Sequence, residues 1–234
     1  MRLNESTTLY SSRLVLRPYR RWHVPTYHEW MESEALREQT ASERLSLEEE
    51  EEMQKSWRLD EDKLTFIVHL RSPSAPSPTS DPTGFLQAHN DSSTMLGDVN
   101  LFLHPISPPS SPSPETSSSS APSSSHRAEL EIMLPPSSPL YSPRSGLAFE
   151  TLKLFISYAT SRLNLKPQDF FVKIGDDNEK SLKLFGKLGF EEIGRSEVFR
   201  EVELGFKGKQ WEWETVGQGE EMGEVHDPRD EERD

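Results

Sequence analysis

The sequence predicts an α/β protein, and three observations carry that expectation. Short runs with the apolar alternation or near-continuous apolar character of strands recur along the chain, among them RLVLRPY at 13–19, TFIVHL at 65–70 and AELEIML at 128–134. Between them lie longer segments whose apolar residues fall three and four apart, the period of a helix. Read in order these segments give β-α-α-β-β-β-α-β-α-β-β, with no internal repeat that would indicate a solenoid.

Each element has its own signal. Pro18 ends the first strand, and HVPTYHEWMESEAL follows as a helix in which Tyr27, Trp30 and Met31 share a face. Ser46 stands as N-cap to a second helix, SLEEEEEMQKSW, with Glu48 to Glu52 in the first turns where the helix dipole favours them. TFIVHL and MLGDVNLFL at 95–103 read as two strands of a hairpin with an enlarged loop, and AELEIML as a third. A helix from Gly146 to Leu163, a strand FFVKI at 170–174, a helix from Glu179 to Leu188 and closing strands FEEIG and VFREVELGF complete the pattern.

Composition narrows what such a domain can be. The 234 residues hold 40 acidic and 26 basic side chains, and 26 − 40 leaves a formal net charge of −14. That charge repels phosphate backbones and anionic headgroups, so neither a nucleic acid nor a membrane is the expected partner. There is no cysteine, which removes disulfides, thiolate metal sites and a thiol nucleophile. No apolar run is long enough to span a bilayer, and a cytoplasmic protein is expected. Only 32% of the residues are hydrophobic, and 18 prolines sit among runs of serine. Residues 104–126, mostly Ser and Pro, and the milder stretch 71–94 read as disordered insertions in a single domain spanning 1–206. Residues 207–234 read as a solvated acidic tail, and from Thr215 onward carry eight acidic residues against two arginines. Ser-Pro pairs at 107–108, 111–112 and 113–114 are formal acceptors for a proline-directed kinase.

The turn SPRSGLA, between a strand and a long helix, is the first place chemistry could reside. A helix start behind a strand offers unpaired N–H groups and a positive dipole end, which suits a pyrophosphate. Gly146 lets backbone approach a ligand and Ala148 leaves room for it, although small residues also serve packing alone at such turns. A second motif, NEKSLKLFGKLGF at 178–190, opens a helix and runs into a strand.

Together, SPRSGLAFETL and NEKSLKLFGKLGFEEIG resemble the acetyl-coenzyme A-binding motifs of the GNAT superfamily of N-acetyltransferases. The segments at 40–57, 60–68, 97–103 and 129–134 narrow the resemblance to the N-acetyltransferase 9-like family. The resemblance implies a GNAT fold: a mixed, mostly antiparallel twisted sheet with flanking helices, splitting into a V between strands 128–134 and 170–174, where the pantetheine arm lies. It implies that Arg144, Ser145, Gly146, Leu147 and Ala148 cradle the pyrophosphate, with Asn178 and Ser181 beside the cofactor. Asn178 is equally suited to capping the helix that starts at Glu179. Two positions depart from the superfamily pattern. Pro143, which has no N–H, stands where Gln or Arg is expected, and Phe185 stands where a tyrosine often acts as the acid.

Acetyl transfer from a thioester to an amine needs a neutral amine, a stabilised oxyanion and a proton for the thiolate. Glu129 and Glu131 share one face of their strand, with Leu130, Ile132 and Leu134 on the other. Glu129 is the candidate base. Tyr141 and Tyr158 are substitutes for the missing acid by proximity in sequence alone. His23 and His28, five apart, do not align on a helix, so no metal is expected. Trp57 and the aromatic residues at 149, 155 and 158 have core spacing, while Trp211 and Trp213 could share a strand face or anchor the tail. The expected activity is transfer of acetyl from acetyl-coenzyme A to a primary amine, with a protein N-terminus, of the tubulin type, implied by the resemblance to the family. The alternatives are a small-amine acetyltransferase and an inactive GNAT-fold interaction protein.

Overall fold

Strand and helix periods sort themselves into one nine-stranded sheet between helical layers. The computed structural model describes residues 1–106, 126–208 and 223–226. The strands are β1 (Thr7–Tyr10), β2 (Leu14–Pro18), β3 (Lys63–Leu70), β4 (Met95–Pro105), β5 (His126–Met133), β6 (Phe170–Gly175), β7 (Phe190–Ser196), β8 (Glu201–Phe206) and β9 (Gly223–His226). Their order is β7-β8-β6-β5-β4-β3-β2-β1-β9, antiparallel throughout except for β5 with β6. The mixed, mostly antiparallel sheet is the one expected.

Helix α5 (Leu147–Leu163) is the crossover between the parallel strands β5 and β6, and α6 (Glu179–Lys187) follows β6. Both lie on the face that presents Leu16, Phe66, Val99, Leu101, Leu130 and Val172. There Phe155, fully buried, meets Phe66 edge to face at 6.0 Å. The other face receives α1 (Val24–Met31), α2 (Glu34–Gln39) and α3 (Leu47–Leu59), which bury Tyr19, Tyr27, Trp30, Met31 and Ile67 in a second, smaller core. Ser46 and Glu49 form the capping box that starts α3, and Glu50, one residue on, is buried with its Oε2 3.2 Å from His28 Nδ1. Among the described residues no helix is long and apolar enough to cross a membrane.

Three segments differ from the sequence expectation. The helix anticipated over HVPTYHEWMESEAL breaks at Ser33, whose hydroxyl accepts from the Leu36 N–H and so caps a new helix, α2. Residues 71–94, expected to be a disordered insertion, fold against the sheet around α4 (Pro82–Gln87). Asp81 caps α4, and Phe85 and Leu86 are buried against Tyr10, Val15 and Val225. The fully buried Arg17 donates to the carbonyls of Leu86 (3.0 Å) and His89 (3.4 Å) and to the Asn90 side chain. Two apolar residues among prolines and serines carry no period, so this docking has no local signature. In the acidic tail, residues 223–226 pair with β1 as an added edge strand. The Ser-Pro pairs, Trp211 and Trp213 lie outside the described residues.

Candidate active site

Strands β5 and β6 stay together only briefly. Their parallel register covers Ala128 with Phe170 and Glu129 with Phe171, after which β5 runs on to Met133 and β6 to Gly175 with no further pairing between them. The split faces the carboxyl ends of both strands. The start of α5 and the start of α6 lie at this end, because each helix follows one of the two strands. A separate cavity of about 210 Å³, bounded by Arg127, Gln168, Phe170 and Gly208, lies at the paired end instead.

The turn into α5 brings together Arg144, Ser145, Gly146, Leu147 and Ala148. Gly146 is the N-cap at φ +81°, and Arg144 is also left-handed at +64°. A Cβ at position 146 would be strained by that φ, which is why glycine suits it. Glu150 N–H bonds the Gly146 carbonyl, while the N–H groups of the first turn have no intrahelical partner. Pro143 supplies no donor, so the donors of this loop begin at Arg144. Asn178 caps α6, its Oδ1 accepting from the Ser181 N–H at 3.1 Å. That bond makes capping one role of Asn178, and its Nδ2 is left for another. These donors around a split sheet fit a diphosphate carrying an extended arm.

On the α1–α3 face, antiparallel register lines up side chains from β3, β4 and β5. Lys63 faces Phe102 and Glu129, and Thr65 faces Asn100 and Glu131. Glu129 Oε2 lies 2.8 Å from His104 Nε2 and 3.5 Å from Lys173 Nζ. Glu131 keeps an open side to solvent but sits among crowded walls, and desolvation pushes its carboxyl up to about 7 against the opposing pull of Lys63. Lys63 is 4% exposed, its Nζ 2.7 Å from the Trp57 ring centroid and 4.4 Å from that of Phe102. Burial draws its ammonium down to about 7, with Glu131 and Asp98 raising it. Asp98, fully buried, accepts from Asn100 at 2.8 Å and from the Tyr27 hydroxyl at 3.4 Å, and desolvation raises it to about 6. Glu131, Lys63 and Asp98 thus share one face of neighbouring strands, and each has its charged form disfavoured by desolvation.

Several sequence candidates fall elsewhere. The Tyr158 hydroxyl donates to the Leu3 carbonyl at 3.1 Å, eleven residues along α5 and about 16 Å from its start at 1.5 Å per residue. Phe185 is buried, edge to face with Phe190 at 5.3 Å. Tyr141 lies half-buried in the loop before the α5 turn. Lys63 escaped sequence reasoning because it precedes the strand read at 65–70, and Asp98 because it sits inside an ordinary apolar strand. A charged residue at an inward-facing strand position was the one available signal. His23 and His69, 46 residues apart, meet Nε2 to Nε2 at 3.2 Å in the core, though no group of three metal-ligating side chains occurs among the described residues.

Comparisons with known proteins agree with this geometry. The acetyltransferase (GNAT) domain family matches residues 13–191. An alpha/beta-tubulin-N-acetyltransferase 9 from Drosophila melanogaster is 44% identical over 204 residues, 87% of this chain and 88% of that protein. An N-acetyltransferase 9-like protein from Nematostella vectensis is 42% identical over 88% of both. Among solved structures, a spermidine N-acetyltransferase from Vibrio cholerae in complex with CoA and spermine aligns with a TM-score of 0.55 at 18% identity, covering 82% of this chain and 94% of that one. Apo RimL, a ribosomal L7/L12 alpha-N-protein acetyltransferase, aligns at 0.56 and 14% identity, covering 84% and 93%. A split mixed sheet, a glycine-capped helix at its open end and this agreement over most of the chain lead to one conclusion: the protein is an acetyltransferase of the N-acetyltransferase 9-like family within the GNAT superfamily.

Proposed function

We propose that the protein transfers the acetyl group of acetyl-coenzyme A to the N-terminal α-amine of a polypeptide, with Glu131 as the base. The observation that carries this reading is the place of Glu131, lined up with Asn100 and Thr65 on the α1–α3 face and two residues before the end of the strand that leads into the α5 turn. The N–H groups of Arg144, Gly146 and Ala148 bind the diphosphate, those of Ser145 and Leu147 being engaged by the Ser142 carbonyl and the Ser145 hydroxyl, and Asn178 and Ser181 line the arm's path at the start of α6. An arriving α-ammonium loses a proton to Glu131, whose carboxyl is matched to an amine near neutral pH. The neutral nitrogen attacks the thioester carbonyl carbon and an N–C bond forms; as the C–S bond breaks and coenzyme A leaves as thiolate, the nitrogen, cationic after attack, gives its second proton to solvent and becomes the amide. A thiolate whose parent thiol ionises around pH 8.5 can depart and take its proton from solvent. This is how a chain with Phe185 in the tyrosine position remains competent. Glu129, engaged by the His104 ring and the Lys173 ammonium, is less free to take the proton and serves instead to fix the wall beside Glu131.

The acidic groups around the cleft attract a cationic amine, and the tubulin N-acetyltransferase names of relatives make tubulin N-terminal peptides the first acceptors to try. The test is calorimetry with coenzyme A on the wild type and Gly146→Trp, followed by turnover with N-terminal peptides against spermidine. Saturable binding abolished by the substitution, with peptides preferred, supports the reading. Preference for spermidine would replace the acceptor class. Absence of coenzyme binding in the wild type would favour a partner-binding role, which Pro143 and Phe185 would then explain.

A further inference from the structure

The α5 turn is held by a residue 132 positions away in sequence. Arg13, in the turn between β1 and β2, crosses to the start of α5 and donates through Nη1 to the Ser145 carbonyl at 2.9 Å. Its Nε donates to Glu150 Oε2 at 2.7 Å, and its Nη2 bonds the same oxygen. Glu150 is itself buried and fixed, since its Oε1 accepts from the Ser11 hydroxyl at 2.5 Å, and Ser11 Oγ accepts from the Leu14 N–H at 2.9 Å. Arg13 is therefore held from behind, and what it holds in front is a carbonyl of the loop.

We propose that Arg13 is a positioning residue for coenzyme A, locking the Ser145–Gly146 peptide so that the Gly146 N–H faces the diphosphate site. The reasoning starts from the geometry of one peptide bond. The Ser145 carbonyl and the Gly146 N–H share a trans peptide plane and point in opposite directions. With the carbonyl pulled toward the β1–β2 turn, the N–H points away from it. In the sheet order, three strands separate β2 from β6, so away from β1–β2 is toward the split between β5 and β6. Without the latch this peptide could turn over at small cost, because Gly146 has no Cβ to oppose the rotation. The turned-over peptide would present a carbonyl oxygen to an anion. A loop that has already lost one donor to Pro143 is the more dependent on the donors that remain.

This inference rests on the acetyl-coenzyme A reading, and the experiment separates the two. Coenzyme A binding is measured by calorimetry, and pantetheine, which lacks the diphosphate, by competition, on wild type, Arg13→Gln and Arg13→Lys. Arg13→Gln is expected to weaken coenzyme A about tenfold, the loss of one well-placed donor at about 1.4 kcal/mol, while pantetheine binds as before. The KM for acetyl-coenzyme A rises in step and the KM for the amine does not. Arg13→Lys keeps the charge but cannot hold Glu150 and Ser145 together, and is expected to fall between at about threefold. Should Arg13→Gln fail to fold by thermal melt, Arg13→Lys carries the test alone. Coenzyme A affinity unchanged in both variants, or coenzyme A and pantetheine weakened alike, would overturn the role of Arg13. A wild type that binds no coenzyme A would overturn the acetyl-transfer reading instead.

Discussion

The two faces of the central sheet are built to opposite rules. Against α5 and α6 the strands present Leu14, Leu16, Leu64, Phe66, Val99, Leu101, Leu130 and Val172, and the cluster they join consists of hydrophobic residues. On the opposite face the same strands bury Arg17, beneath the α4 segment, and Lys63, Thr65, His69, Asp98 and Asn100 alongside their apolar neighbours. Buried polar groups cost free energy unless paired, and some here are unpaired: Asp98 Oδ1 and the Tyr19 hydroxyl have no hydrogen-bond partner. One face thus carries the stability of the domain, and the other carries strain that a proton-transfer site can use.

The sharpest way to break this contrast is to empty the apolar face. Phe155→Ala removes a fully buried ring and is expected to cost about 3–5 kcal/mol, a fall in Tm of roughly 10 °C for a domain of this size, followed by circular dichroism. A loss under about 1 kcal/mol would mean that the stability resides elsewhere.

On the polar face the expected signs reverse. Glu131→Gln should lower kcat/KM about a hundredfold or more while leaving coenzyme A affinity intact. It should also raise stability above pH 7. The raised carboxyl binds its proton more tightly in the folded state, so its favourable contribution is full below about pH 4.5 and is lost as pH rises through about 7. Above that pH the folded protein carries a desolvated charge that glutamine does not. Since Glu131 has an open side, the gain is set at about 1 kcal/mol after allowing for solvent screening. A melt at pH 8 that shows the variant less stable than wild type would remove the claim of strain.

The smallest effect sharpens the assignment within the polar face. Lys63→Met keeps the stem packed on Trp57 and removes the cation that opposes the rise in Glu131. The acidic limb of the pH profile of kcat/KM should move upward by about one unit, with Tm read alongside to check folding. A limb that stays in place would show that Lys63 does not set the charge of Glu131.

Much of this was legible locally. The strand periods, the Ser46 capping box, the glycine at the α5 turn and the Asn178 cap all act within a few residues, and the structure carries each of them. The residues of two motifs carried a resemblance to the superfamily, and the segments at 40–57, 60–68, 97–103 and 129–134 narrowed it to the family. Residues 71–94 were not legible, because Phe85 and Leu86 become a core only when Tyr10, Val15 and Arg17 are beneath them. The same holds for the tail strand at 223–226, which is a strand because β1 offers an unpaired edge.

The choice between Glu129 and Glu131 shows where sequence stops. Strand alternation placed both on one face, since the period of two is a property of the backbone alone. Which of them meets His104 and Lys173, and which lines up instead with Asn100 and Thr65, depends on register across β3, β4 and β5. Arg13 reaching Ser145 is a contact of the same kind. The sequence by itself determined the elements and their pattern, because propensities, caps and hydrophobic periods are short-range. Only the tertiary structure decided which charges lose their water and which carbonyls are held, because desolvation and long-range hydrogen bonds arise when distant segments pack together.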